Sequence, residues 1–131
     1  MRYVLSFAAP ALLVAGLTAC HPGPAVSVTP NTGLVDGQQV VVSGGGYSAN
    51  ATVGVVQCPT GADSLDDCDS ETAHTLSTDG NGHFTTTMSV LRTITDGHEQ
   101  QTDCSVADSC VVTSVYVHGF QSPATAPLQF T

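Results

Sequence analysis

The residues of this chain best able to do chemistry crowd into VVQCPTGADSLDDCDSE, at 55 to 71. Cys58 and Cys68 stand ten positions apart there, around Asp63, Asp66 and Asp67, with Asp69 and Glu71 just beyond. Such a stretch suits a cation site, a redox loop or a disulfide-stapled turn. A calcium loop takes oxygens from alternate positions and needs a glycine at its sharp turn. DSLDDCDSE has neither, so the stretch reads as a solvated loop closed by a disulfide. The DGNG at 79 to 82 reads as a hairpin turn in the same way. His21, His74, His83, His98 and His118 include no closely spaced pair of the kind that builds zinc sites, so no metal centre is expected. No G-x-S-x-G elbow and no phosphate loop occurs, and a non-enzymatic protein without a cofactor follows as the expectation.

The compartment decides what the cysteines do. The chain opens MRYVLSFAAPALLVAGLTAC, one basic residue and then an apolar run too short for a spanning helix, which is a secretory signal pattern. Its close, Leu17, Thr18, Ala19 and Cys20, resembles the bacterial lipobox, at which the signal peptide is removed and the cysteine acylated. Residues 1 to 19 are therefore expected to be a lipoprotein signal peptide. Cys20 with HPGP at 21 to 24 would be the anchor and a short linker. The protein would then be exported and held at the outer face of the cell membrane by lipid, or be secreted if Cys20 is unmodified. With Cys20 acylated, four of the five cysteines remain, an even number. Three pairings of four are possible, and the spacings favour Cys58 with Cys68 and Cys104 with Cys110. Short loops of this kind contribute about 2 to 3 kcal/mol each in the loop-entropy model.

From Cys20 onward one cation, Arg92, faces eleven carboxylates, a formal charge of −10 with the histidines neutral. That surface repels phosphate backbones and has no basic patch, which argues against direct nucleic-acid binding. Seven segments carry strand signals: 25 to 29, 38 to 44, 51 to 57, 73 to 78, 83 to 91, 110 to 117 and 125 to 130. In the fifth, Phe84, Thr86, Met88 and Val90 share one face. Turns rich in Gly, Pro, Asn and Asp separate these segments, and no segment reads as a helix. The pattern predicts one all-β domain over 25 to 131, an immunoglobulin-like sandwich by architecture.

Three segments carry a more specific signal: 26 to 58 with its TPNTGLVDG turn and the QC at 57 and 58, LSTDGNGHFTTTMSVLR at 76 to 92, and TDCSVADSCVV at 102 to 112. In order and spacing they resemble the neocarzinostatin family of enediyne-carrying apoproteins. The resemblance implies a seven-stranded immunoglobulin-like barrel with an extra two-stranded ribbon and two local disulfides. It also implies a cleft between barrel and ribbons that holds an apolar chromophore, the chromophore and not the protein acting on DNA. Where the family prototype lines that cleft with aromatic side chains, this chain has Thr60 and Thr95. Where the prototype offers a Gln and a Ser after the last cysteine, this chain reads Val111, Thr113 and then Ser114 or Val115.

The expected function is an anchored, monomeric carrier that binds a small apolar molecule in the cleft. The residues matched to the cleft are Gln57, Thr60, Thr95, Val111, Thr113 and Val115, with Arg92 at the rim as the one strong donor. A protein-interaction or adhesion module without a small ligand, and a true enediyne apoprotein, are the alternatives. A filled cleft would favour the first of these.

Overall fold

A computed structural model describes residues 23–131 as two packed β-sheets and a small ribbon. The signal peptide, Cys20 and His21 of the sequence reading lie outside the described residues.

The smaller sheet has the order β1-β2-β5, formed by β1 (Ala25–Thr29), β2 (Gln38–Gly45) and β5 (Phe84–Val90). The larger has the order β4-β3-β8-β9, formed by β3 (Thr52–Pro59), β4 (Asp69–Ser77), β8 (Cys110–Tyr116) and β9 (Gln121–Leu128). These are the seven strands read from the sequence. The ribbon adds β6 (Thr93–Thr95) and β7 (Gln101–Asp103), as the family resemblance implied. Every described pairing between these strands is antiparallel.

Period-2 alternation builds the core. Val40, Val42, Phe84, Met88 and Val90 point inward from one sheet, and Val53, Val55, Val112, Ala126 and Leu128 meet them from the other. Burying each large apolar side chain contributes about 1.5 to 3 kcal/mol. Thr86 joins that inward face only in part and is half-buried. Tyr47, in the break after β2, also enters the core. Its ring meets Tyr116 edge-on at 5.0 Å between centroids, and its hydroxyl is hydrogen-bonded to the Ser114 hydroxyl.

β4 starts at Asp69, four residues before the sequence reading placed it, and β9 starts at Gln121 rather than Thr125. A 3-10 turn over Leu65–Asp67 interrupts the acidic loop. Both local disulfides are present, Cys58–Cys68 and Cys104–Cys110.

The DGNG hairpin turn has a steric requirement. Gly82 has φ +76°, and a Cβ there would lie 1.9 Å from the Tyr47 carbonyl oxygen, so the close approach of the two chains admits only glycine. The turn is tied by Asp79, whose carboxylate accepts from the Asn81 and His83 amides at 2.8 and 3.0 Å. Those bonds, the His83 one first, hold Asp79 below the usual carboxylate range, and the Ser105 hydroxyl and amide do the same for Asp103. A folded value below the unfolded one gives stability that is present above the ordinary carboxylate pKa. It is lost as the pH falls through the lowered value. In a side-chain carboxyl NMR titration, Asp79 and Asp103 are expected to protonate below the ordinary carboxylate range. Titration within that range would mean that the turns do not hold these bonds in solution.

Candidate functional site

Strand β8 is buried on both faces. Val112 and Ser114 point into the sandwich, so alternation sends Val111, Thr113 and Val115 to the outer face of the larger sheet. In a sandwich such a face is normally wet. Here Val111 is 8% exposed and Thr113 only 2%, because chain folds over them.

Two connections form that cover. The first is the disulfide loop, which the Cys58–Cys68 bridge pins onto the outer face with Val56, Val111 and Ala62. The second is the turn from β8 to β9, which carries Val117 and Phe120. Between cover and sheet lies a cavity of about 260 Å³ walled by Val111, Thr113, Phe120, Pro123 and Thr125, with Pro59 and Ala62 from the disulfide loop. A second hollow of about 320 Å³ lies beyond Phe120, with Asp63, Leu65, Asp66 and Val117 among its walls.

The ribbon is fixed beside this loop by backbone bonds. Asp69 is 4% exposed, and its two carboxylate oxygens accept from the Glu71 amide at 2.9 Å and the Thr95 amide at 3.0 Å. At the ribbon's tip Gly97 N–H donates to the Asp66 carbonyl at 2.8 Å, and His98 approaches Asp67 at 3.6 Å. Replacing Asp69 by alanine leaves the Thr95 N–H unpaired, at an expected cost of about 1 to 2 kcal/mol. Hydrogen exchange at the Thr95 amide should speed up before that of the β3 and β8 amides. Equal speeding throughout would mean that Asp69 holds the whole fold rather than the ribbon.

Of the residues expected in the cleft, Val111 and Thr113 meet in the cavity, and Val115 shares their face in a fully buried position. Gln57 points the other way. It pairs across from Val112 on the inner face, is 0% exposed, and uses both ends of its amide on Leu91, donating to its carbonyl at 2.6 Å and accepting from its N–H at 2.8 Å. Strand parity gives the reason, since Gln57 follows Val53 and Val55 inward while Cys58 faces out. Thr60 is exposed and its hydroxyl donates to the Asp108 carbonyl at 2.7 Å, which ties the two disulfide loops together. Thr95 is exposed on the ribbon. The Arg92 guanidinium donates to the Thr131 carbonyl at 2.9 Å and is not among the cavity's walls.

Among the wall residues that the sequence reading left out, Phe120 is the aromatic one. Its signal was a single aromatic in the HGFQSP turn that follows β8. Among the described residues, no group of three or more His, Cys, Asp or Glu is placed to hold a metal ion. The site's chemistry is that of a largely apolar slot with threonine hydroxyls, suited to binding rather than to proton or group transfer.

Comparison with known proteins gives one consistent answer. The model of the neocarzinostatin family matches residues 26–130. The chain is 34% identical over 110 residues to the antitumor antibiotic C-1027 apoprotein of Streptomyces globisporus, which covers 79% of this chain and 76% of that protein. It is 38% identical over 89 residues to apokedarcidin of an Actinomycete sp., covering 63% of this chain and 77% of that one. Among solved structures, macromomycin superposes with a TM-score of 0.71 at 27% identity, over 83% of this chain and all of the other.

Proposed function

The chain belongs to the neocarzinostatin family, and from that premise we propose that it is a non-enzymatic carrier of a small apolar molecule. The ligand lies on the outer face of the larger sheet, against Val111, Thr113 and Phe120. The observation that carries this reading is the 260 Å³ cavity over β8, walled by uncharged, largely apolar side chains under a cover pinned by a disulfide. The relatives support it by name, since an apoprotein is the protein part of a complex with another molecule. Its cargo belongs to the apolar, antibiotic or chromophore type.

The carrier works at the cell surface. Export follows from the signal pattern, and Cys20 receives the lipid that tethers it to the outer face of the membrane. Four residues separate Cys20 from β1, so the domain stays close to that surface and its cargo is held there rather than released to diffuse.

Native mass spectrometry of the protein purified from its own host tests both parts. A reproducible small-molecule adduct that denaturation releases, together with a lipid-sized increment on Cys20, is the expected result. A bare polypeptide mass, with two disulfides and nothing bound, would overturn the carrier.

A further inference from the structure

Phe120 borders both hollows of the cleft, and among the described residues it is the one aromatic lining either of them. Its backbone is unusual. Phe120 has φ +52°, between Gly119 at +84° and Ser122 at +52°. The left-handed region is sterically unfavourable for a residue with a Cβ, and more so for a bulky one. Glycine at position 120 would adopt this conformation without the steric penalty of a Cβ. The unfavourable conformation is kept, and its product is a ring standing over the outer face of β8.

The two sides of that ring differ. Toward β8 the walls are Val111, Thr113 and Pro123, which carry no charge. On the far side the carboxylates of Asp63 and Asp66 stand beside Leu65 and Val117. A gap between a flat strand face and an aromatic ring admits a flat molecule. An anionic substituent on it would meet two carboxylates at the cleft's other end and a chain of strongly negative charge all round.

Resting on the carrier reading above, we propose that Phe120 is the specificity-determining residue of the cleft. It is the face on which the ligand stacks, and it divides the site into a neutral and an acidic half. The ligand class is a flat conjugated ring system bearing uncharged or cationic, not anionic, substituents. Phe120 thus supplies from the β8–β9 turn the aromatic surface that Thr60 and Thr95 do not provide.

Coumarin and coumarin-3-carboxylate are probes of matched shape and opposite acceptability. Titrated into the purified protein and followed by proton NMR, coumarin should bind with its ring protons shifted upfield by the phenylalanine ring. The carboxylate should bind at least about tenfold more weakly at low salt, with the gap narrowing as salt is added. Phe120→Leu should weaken coumarin about tenfold and remove the upfield shift, while Phe120→Tyr keeps both. Equal affinity and equal shifts in the leucine variant would overturn the role of Phe120 and leave the carrier reading standing. Equal binding of the two probes at low salt would overturn the ligand class. Failure of the unsubstituted protein to bind either probe, with no adduct from its host, would remove the carrier reading as well.

Discussion

Gln57→Leu should lower the unfolding free energy by about 3 kcal/mol in denaturant titration, because two buried backbone groups lose their partners at about 1 to 3 kcal/mol each. The side chain is fully buried and bridges from β3 to Leu91, at the crossing from the smaller sheet to the ribbon. Its amide nitrogen also lies 3.3 Å from the Cys104 sulfur, so one side chain ties β3, the β5–β6 crossing and the second disulfide together. Leucine is nearly the right size for the space and makes none of these bonds. Glutamate keeps an acceptor for the Leu91 N–H but sets an oxygen against the Leu91 carbonyl, and should cost at least as much. If leucine proves neutral, the Leu91 backbone must find other partners, and Gln57 would not be what ties β3 to the crossing. Binding measured on the same variant separates the cases: a structural Gln57 changes coumarin affinity little once the protein is folded.

The placement of Gln57 shows where sequence reading succeeded and where it stopped. Strands were legible because alternation and turn residues are local signals. Phe84, Met88 and Val90 lie on the buried face at the spacing that β structure imposes. Local cysteine spacing likewise favoured the two bridges found. The same alternation, carried two residues past Val55, sends Gln57 inward. The family analogy of the QC motif had drawn it toward the cleft. Other features depended on contacts remote in sequence. β4 begins at Asp69 because that carboxylate is satisfied by the ribbon, a partner 26 positions away, so an acidic stretch that reads as loop becomes strand. Tyr47 reads as part of a glycine-rich break, and only packing against Phe84 and Tyr116 makes it core. Phe120 reads as a turn residue, and only the backbone of its turn brings it over β8.

Val111→Trp should abolish ligand binding while leaving the fold intact, and it is the substitution that most directly tests whether the cavity is the binding site. Val111 lies at the floor of the cavity, between the Cys58–Cys68 bridge and Thr113. Overpacking usually costs about 1 to 3 kcal/mol when a side chain is forced into a close-packed core. Here the indole has the space of a 260 Å³ cavity to enter, so the change in stability should stay under about 1 kcal/mol. A ligand competing for that space must displace the indole, and its affinity should fall at least about a hundredfold, equivalent to about 2.7 kcal/mol. The host-derived adduct should vanish from the native mass spectrum at the same time. Val112→Trp is the matched control, since that neighbour points into the sandwich core and should destabilise the protein severely instead. Retention of full affinity by a folded Val111→Trp protein would place the ligand elsewhere. The hollow beyond Phe120, walled by Asp63, Asp66 and Val117, would then be the next surface to block.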